Sequence, residues 1–515
     1  MDICSQSSSL HEFMNRITNI KGMRLGIGFC ISLLTLFITL PAIGSEGRFI
    51  RAAQPVAGQY LVVLKDVSRS NVPDVANQIA QSHNGRVRKI INNTASIFSV
   101  ELTEQEALRL SRHPLVLSVE EVGYIHLSGG INLPAGAGTT SNSGPLWNLD
   151  RIDQTNPTPN LRYNYCERGA GVIAYVVDTG ILRTHSEFQR ADGTSRVKQG
   201  VCKSMDCQGF EPGDPCATEL TSYVTGHGTA VASVLGGKNI GAAPNVSLVP
   251  VRVTSCTANG LSTTENICWG LDWIRGSENP DRDHRPALIN MSIYANAIKD
   301  VTDAGLEYRD PYVTAMEHVI DGLLTDAPGW TGIPVIVSAN NHNTDNSETT
   351  PARMAYRNAP NFQSMGHVIS VGGTELREDS AGILRDKRWV CNVTRDGSCP
   401  IEYNGQNGWP IGSNYGNTVD IWAPAHNIES AHSDGGFRQT LRSGTSFAAP
   451  LVAGVAARIL QVQPTLSPNG LYQEVIWTSS NMLDPLNPET VIDPLNWNSR
   501  VVHRNAGPSC SPEYP

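Results

Sequence analysis

From Trp147 onward, the chain alternates short apolar runs with helix-type patterns. The runs Val172–Val177, Ser247–Val253, Ala287–Ser292 and Pro334–Ser338 are rich in Val, Ile and Ala. Strands that are buried on both faces have this composition, whereas strands with one wet face alternate apolar and polar residues. Because helical patterns separate the runs, the strands are expected to be parallel, with helices on both faces. The sequence therefore predicts an α/β fold of three layers, in which a mostly parallel sheet lies between helices.

The first 44 residues have the pattern of a secretory signal with a long leader. An apolar run from Leu25 to Leu40 follows Lys21 and Arg24, and Ala42 and Gly44 supply small residues before a cut after position 44. The run is shorter than the ~20 residues that a membrane span needs. We therefore expect secretion to the extracellular space and no stable membrane insertion after signal removal. An uncleaved signal anchor is the alternative.

Cysteine usage depends on that export, because disulfides persist in oxidising compartments. The chain has 11 cysteines, of which nine follow the leader, so at least one is free or pairs elsewhere. The close pairs Cys256/Cys268 and Cys391/Cys399 are expected bridges. Without a CxxC pair or a Cys/His cluster of ligand spacing, a zinc site is disfavoured. Three further cysteines compete for partners: Cys202, Cys207 and Cys216.

The remaining organisation follows from composition and periodicity. Residues 58–127 predict a small α+β module, and residues 128–144 are uncharged, rich in Gly, Ser and Thr, and typical of a linker. Residues 145–480 form the large domain, and the proline-rich residues 481–515 predict an irregular tail. The strand and helix patterns of the small module, in chain order, are Gln59–Lys65, Pro73–His83, Ala95–Leu102, Glu104–Arg112 and Val116–His126.

Charge excludes two broad classes of protein. The chain has 39 basic and 48 acidic residues, a net charge of −9, with 40% hydrophobic residues. A disordered chain has more charge and less apolar content, and a nucleic-acid binder usually carries a basic surplus. Residues 1–144 hold 12 basic and 10 acidic side chains, so the acidity belongs to the rest of the chain.

Three short segments place reactive side chains at the ends of buried elements. Val176-Val177-Asp178 puts a carboxylate at the C-terminal end of a strand, where parallel sheets bind ligands. Gly226-His227-Gly228 opens an apolar helix with a histidine. Ser443-Gly444-Thr445-Ser446 opens another, where free backbone N–H groups can stabilise negative charge. Each segment alone is common, so the information lies in their combination.

In combination, the segments resemble the subtilisin-like serine proteases of peptidase family S8, and in particular their proteinase K-like branch. The chain order Asp178, His227, Ser446 is that of subtilisin, and the resemblance covers about residues 145–480. Residues 58–127 resemble the family's inhibitor I9-type propeptide, a ferredoxin-like α+β module. The segment Trp147–Asp153 resembles the opening of a mature enzyme.

The resemblance implies a role for each of these side chains. Ser446 would be the nucleophile, His227 the general base and Asp178 the group that orients the imidazole. Negative charge on the tetrahedral intermediate would be stabilised by the Ser446 backbone N–H and by the amide of Asn341. The family has glycine where this chain has Asn340, and asparagine is among the side chains that best tolerate a left-handed backbone.

The resemblance also implies two chain edges that pair with an extended substrate. One runs through Asn259-Gly260-Leu261-Ser262 and the other through Asn290–Ile293. The family follows the second edge with Gly-Gly, but Tyr294-Ala295 stands here, which predicts a reshaped specificity pocket. The acidic segment Asp300–Asp310 is expected to form a surface loop near the cleft. The expected substrate-binding residues are Gly260, Leu261, Ser292 and Ile293.

Calcium is the one ion that the resemblance implies. Asp420 aligns with a ligand that acts together with backbone carbonyls near Gly366 and Val368. Hard oxygen ligands suit Ca²⁺. The alternative is that loop amides satisfy the Asp420 carboxylate.

The expected protein is a secreted serine endopeptidase that is made as a self-processing zymogen. It would act on proteins or peptides as a monomer, need no cofactor for its chemistry, and use its own propeptide as chaperone and inhibitor. A non-catalytic binding protein on the same fold is the first alternative, and another amide or ester hydrolase is the second. The presence of all three triad residue types favours the protease.

Overall fold

A parallel sheet runs through the middle of the protein, and its strands set the positions of the reactive side chains. The computed structural model describes residues 48–127, 131–132, 146–204 (except 157, 159 and 161), 226–255, 262–296, 300–301, 307–308, 314–355, 368–378, 384–389, 412–432, 439–481 and 500–502.

The helices are α1 (Val72–Ser82), α2 (Glu104–Leu110), α3 (Trp147–Ile152), α4 (His227–Gly236), α5 (Thr264–Arg275), α6 (Ala315–Leu324), α7 (Thr445–Val462) and α8 (Pro468–Trp477). The first strands are β1 (Arg48–Ile50), β2 (Pro55–Leu64), β3 (Arg86–Ile91), β4 (Ile97–Glu101), β5 (Val116–Leu127), β6 (Ile131–Asn132), β7 (Ile173–Asp178), β8 (Val201–Cys202), β9 (Ser247–Arg252), β10 (Ser262–Thr263), β11 (Ala287–Met291) and β12 (Ile293–Asn296). The others are β13 (Asp300–Val301), β14 (Glu307–Tyr308), β15 (Val335–Ser338), β16 (Thr349–Thr350), β17 (Ile369–Glu378), β18 (Leu384–Arg388), β19 (Ile421–Pro424), β20 (Ile428–Ala431), β21 (Gln439–Ser443), β22 (Ser480–Asn481) and β23 (Arg500–Val501).

The central sheet has the strand order β8-β9-β7-β11-β15-β17-β19, and every neighbouring pair along this path is parallel. The chain passes from β7 to β9 on one side and then crosses to β11 on the other side of β7. Ligands of such sheets bind at the carboxyl ends of the strands, where the strand order reverses. A ligand-binding site is therefore expected at the carboxyl ends of β7, β11 and β15.

Alternation of side chains along β7 creates the layers. Ala174 and Val176 pack into one core with α4 and α7. Ile173, Tyr175 and Val177 pack into a second core with α5 and α6 on the opposite face. Because successive strand residues point to opposite faces, both faces of this strand are buried. The predicted three-layer α/β fold is confirmed.

Helix α7 is the longest helix in the described part of the chain. Its residues from Thr445 to Leu460 are all buried, and it packs against the central sheet. Its length and apolar composition would also allow it to cross a membrane, but 89% of it is buried inside the protein. Burial in the core therefore explains the apolar character of α7.

The first described residues form the small module, within the compact unit 47–515. Strands β2, β4 and β5 and helices α1 and α2 lie at the predicted positions. Strand β3, with the sequence Arg-Val-Arg-Lys-Ile-Ile, was not predicted, because its basic side chains hide the apolar alternation. The antiparallel sheet runs in the order β5-β2-β4-β3, and β12 and β16 continue it beyond β5.

The structure corrects the cysteine prediction at one position. Cys268 is a buried free thiol, so the expected Cys256/Cys268 bridge is wrong. The thiol lies on the core side of α5 beside Ile267 and Leu271, where burial raises its pKa well above the usual value. Cys166 and Cys202 each take part in a disulfide bond. The other cysteines beyond the leader, including the Cys391/Cys399 pair, lie outside the described residues.

Two other segments differ in detail from the prediction. In the region expected to be an irregular tail, β23 pairs with β19 and Val502 is fully buried. In the acidic segment, β13 and β14 form an antiparallel pair.

Candidate active site

The carboxylate of Asp178 stands at the carboxyl end of β7. It is fully buried, and its Oδ1 accepts a hydrogen bond of 2.7 Å from the Thr179 backbone N–H. A buried carboxylate needs partners that replace water. The second partner comes from α4.

His227 is the first residue of α4 and is 2% exposed. Its Nδ1 lies 2.9 and 3.0 Å from the two carboxylate oxygens of Asp178. A carboxylate accepts, so Nδ1 carries a proton and the neutral ring has Nε2 available as a base. Nε2 is buried and has no hydrogen-bond partner among the residues that the structure describes.

The two glycines that flank His227 are required for different structural reasons. Gly226 has φ of 81°, a left-handed conformation that suits glycine. At Gly228, an added Cβ would lie 2.4 Å from the carbonyl oxygen of Gly180 and 3.1 Å from the Asp178 side chain. Only a residue without a side chain lets α4 approach the end of β7 this closely.

Ser446 lies in the first turn of α7 and is fully buried. Gly444 precedes the helix with φ of 148°. The Ser446 hydroxyl is 3.5 Å from the carbonyl oxygen of Ser292, and the Ser292 hydroxyl donates to the Ser446 carbonyl at 3.0 Å. The rings of His227 and Phe447 are 5.9 Å apart, so α4 and the start of α7 meet at this point.

Asn341 follows β15 and reaches the same helix start. Its Oδ1 accepts from the backbone N–H of Thr445 at 2.8 Å and from the Thr445 hydroxyl at 2.9 Å. These bonds fix which end of the amide is the acceptor, so the donor end, Nδ2, is turned away from Thr445. Asn340 has φ of 78°, as predicted for the residue that replaces glycine.

A strand of the small module lies across the site. At its end, β5 pairs antiparallel with β10 on one side, with Ile125 opposite Ser262. On the other side it pairs antiparallel with β12, with Leu127 opposite Ile293. The two chain edges that were expected to hold a substrate therefore flank an extended strand of this same chain. Gly260 and Leu261, expected on the first edge, lie outside the described residues and directly precede β10.

The residues expected to bind calcium are only partly described. Asp420 is 5% exposed, and its Oδ2 accepts from the Ser370 backbone N–H at 2.9 Å. Val368 is buried just before β17, and Gly366 lies outside the described residues. Within the described residues, no three His, Cys, Asp or Glu side chains cluster as metal ligands. A buried carboxylate can serve as a ligand of a hard cation, and calcium at Asp420 stays a prediction.

Sequence reasoning missed two features of the site. Thr445, which holds the Asn341 amide, had no signal beyond its place in the Gly-Thr-Ser segment. His342 and Tyr294, which hydrogen-bond at 3.1 Å, are 48 residues apart in the sequence, and no local pattern links them.

The fold and the site together define a class of protein. It is a parallel α/β protein with Asp, His and Ser side chains at one end of the central sheet, and these residues follow one another along the sequence in the order found in subtilisin. The subtilase (peptidase S8) family model matches residues 169–500, so the chain belongs to this family and is a serine-type endopeptidase that acts on proteins or peptides.

Individual proteins agree with this assignment. The chain is 30% identical over 393 residues to the extracellular serine proteinase of Thermus sp. (strain Rt41A), covering 76% of this chain and 73% of that protein. It is 26% identical over 476 residues to subtilisin-like protease 3 of Pseudogymnoascus destructans, covering 89% and 95%. Fervidolysin from Fervidobacterium pennivorans, a keratinolytic enzyme related to subtilisin, has the same fold, with a TM-score of 0.59 and 19% identity over 90% of this chain and 63% of that one.

Proposed function

We propose that the protein is a secreted serine endopeptidase that uses Asp178, His227 and Ser446 as its catalytic triad. The observation that carries the proposal is the contact of His227 Nδ1 with both Asp178 oxygens, beside a helix that begins at Thr445 and has Ser446 in its first turn. In the neutral imidazole this contact places the single ring proton on Nδ1, so that Nε2 can accept a proton. The leader pattern of residues 1–44 and the name of the Thermus relative support secretion.

In the proposed mechanism, Ser446 Oγ attacks the substrate carbonyl carbon while His227 Nε2 takes the hydroxyl proton. Asp178 holds the ring in the required tautomer and stabilises the imidazolium. The carbonyl oxygen becomes negative and is stabilised by the Ser446 N–H and by Asn341 Nδ2. The C–N bond then breaks, the amine leaves with the proton from His227, and water hydrolyses the acyl-enzyme by the same steps in reverse order.

We further propose that residues 58–127 are a propeptide that inhibits the enzyme and assists its folding. Support comes from the position of β5 between β10 and β12, which is where an extended substrate would lie. Contacts of the module with α5 add to this. The Asp272 carboxylate accepts four hydrogen bonds from Asn93 and Thr94, at 2.6 to 2.9 Å, and Arg88 pairs with both oxygens of Glu265 at 3.0 and 3.2 Å.

The variant Ser446→Ala tests both proposals on the full chain. We expect secretion of an uncut protein that retains residues 58–127, because the attacking hydroxyl is gone. The wild-type chain should lose this module and should be labelled at Ser446 by phenylmethylsulfonyl fluoride. N-terminal sequencing and mass spectrometry of both products make the measurement.

Two outcomes would contradict the proposals separately. Normal removal of residues 58–127 from the Ser446→Ala protein would mean that another protease makes the cut. Absence of labelling at Ser446, with peptidase activity unchanged after saturating treatment, would overturn the choice of nucleophile. A non-catalytic binding protein would show neither labelling nor hydrolysis.

A further inference from the structure

A series of hydrogen-bonded polar side chains joins the loop that contains Asn341 to strand β12, which flanks β5. It consists of Asn340, His342 and Tyr294. Tyr294 lies in β12, opposite His126 of β5, and is 7% exposed. Asn340 is 1% exposed, whereas His342 is exposed to solvent. The mechanism proposed above uses none of the three.

The donor and acceptor of each hydrogen bond in this series of side chains follow from the bond between Asn341 and Asn340. The Asn341 backbone N–H donates to Asn340 Oδ1 at 2.6 Å, which fixes the orientation of that amide. Asn340 Nδ2 therefore faces His342 Nδ1, 3.2 Å away. An amide nitrogen only donates, so Nδ1 must accept.

The histidine is thus neutral, with its proton on Nε2. Nε2 lies 3.1 Å from the Tyr294 hydroxyl oxygen and donates to it. The two rings meet edge to face, with centroids 5.3 Å apart and planes at 89°, a favourable aromatic geometry. Burial raises the pKa of Tyr294 to about 12, although a hydrogen bond with the Asn340 side chain lowers it in part, so the phenol stays neutral.

The loop needs such support because Asn340 has a left-handed backbone, with φ of 78°. A non-glycine residue holds this conformation only where its surroundings require it. On the other side of the loop, Asn414 Oδ1 accepts from the His342 backbone N–H at 2.9 Å, and the Asn414 N–H donates to the Asn340 carbonyl at 2.9 Å. With Tyr294, both sides of the loop are held.

We propose that His342 is a positioning residue that ties β12, through Tyr294, to Asn340 and so sets where the Asn341 amide stands relative to the substrate carbonyl. The inference rests on the proposed function, because it assigns His342 an effect that acts only through Asn341. The departure from Gly-Gly at Tyr294-Ala295 and the replacement of glycine by Asn340 are, on this view, parts of one arrangement.

A double-mutant cycle between His342 and Asn341 tests the proposal. The variants are His342→Ala, Asn341→Ala and the double variant, each matured from the full chain, with His284→Ala as a matched histidine control away from the site. His342→Ala should lower kcat about five- to tenfold with little change in KM, because only transition-state binding is lost. In the Asn341→Ala background, His342→Ala should have no further effect on kcat.

Conservative variants provide a second readout that a merely structural role would not give. In His342→Asn, the side-chain oxygen can replace Nδ1 as the acceptor for Asn340, so most of kcat should return. In His342→Gln, the amide reaches toward Tyr294 instead, so kcat should stay low. Thermal melts in the Ser446→Ala background check that each variant folds.

The outcomes separate this inference from the proposed function. If Asn341→Ala leaves kcat unchanged, the proposed role of Asn341 fails, and the inference fails with it. If Asn341→Ala lowers kcat but the His342→Ala effect persists at full size in the double variant, only the positioning role is overturned. Full activity of His342→Ala overturns it as well.

Discussion

At the scale of single residues, the site depends on which atom of each polar group carries a proton. The contact of Asp178 with His227 Nδ1 sets the tautomer of the imidazole, and Thr445 sets the orientation of the Asn341 amide. Both effects come from neighbours that are buried and cannot be replaced by water. Hydrogen bonds of this kind keep the reacting groups organised before a substrate arrives.

The variant Asp178→Asn tests the tautomer directly. An asparagine can present its NH₂ group to His227 Nδ1, which would move the ring proton to Nε2 and block acceptance of the Ser446 proton. We expect kcat to fall by the order of 10⁴-fold, the loss known for this substitution in a serine protease. Steady-state kinetics with a chromogenic peptide amide provide the measurement, and the exposed Asp192→Asn is the control. A loss below tenfold would contradict the role of Asp178.

At the scale of elements, β5 belongs to two structures. It is a strand of the small module, and it also pairs with β10 and β12 at the site. Its Glu120 is 1% exposed and accepts from the Ala315 N–H, at the start of α6, at 2.9 Å. The pKa of Glu120 is raised from 4.5 to about 7, mainly by burial and to a smaller extent by the negative charge of Glu317. The hydrogen bond from Ala315 and the positive charge of Arg353 lower this pKa and offset part of the rise.

This carboxyl predicts how the stability of the uncut protein depends on pH. A pKa that is raised in the folded state means that folding takes up a proton between pH 4.5 and about 7, so stability falls as pH rises through this range. A shift of one pKa unit corresponds to about 1.36 kcal/mol. The shift of Glu120 from 4.5 to about 7 therefore limits the loss in free energy of unfolding over this pH range to about 3 kcal/mol.

Thermal melts of the Ser446→Ala chain should therefore show a decline in Tm from pH 5 to about 7, and the decline should be smaller in the double variant with Glu120→Gln. Because the Gln oxygen can still accept from Ala315, only the ionisation is removed. Asp74→Asn, an exposed carboxyl of the same module, should leave the decline unchanged. Identical slopes with and without Glu120 would rule out its part in the pH response.

At the scale of the whole molecule, strands distant in sequence are held together at the β19 side of the sheet. Strand β17 pairs with β19, and β19 pairs with β23 near the C-terminus. Asp420 lies directly before β19 and bonds to Ser370 in β17. A cation bound at Asp420 would therefore join two segments about 50 residues apart, and such a link stabilises the folded state by mass action.

Chelation tests the predicted calcium. EDTA should lower the Tm of the matured enzyme, and added Ca²⁺ should restore it, because the ion binds only the folded state. The variant Asp420→Asn should melt at a lower temperature and respond less to both treatments. An unchanged melt of the wild-type enzyme in EDTA would remove structural calcium.

The sequence alone determined the layers of the fold and the identity of the candidate catalytic groups. Apolar runs separated by helical patterns leave few packings other than a covered parallel sheet, and Asp178, His227 and Ser446 lie in segments with local signals. Thr445 was named only as part of such a segment, and its role was not foreseen.

Only the tertiary structure decided how distant parts meet. It placed β5 between β10 and β12, buried Cys268 as a free thiol, and joined Tyr294 to His342. Strand register and side-chain contacts across layers depend on packing between segments that are tens to hundreds of residues apart. Local periodicity contains no information about those distances, because it reports only which face of an element is buried.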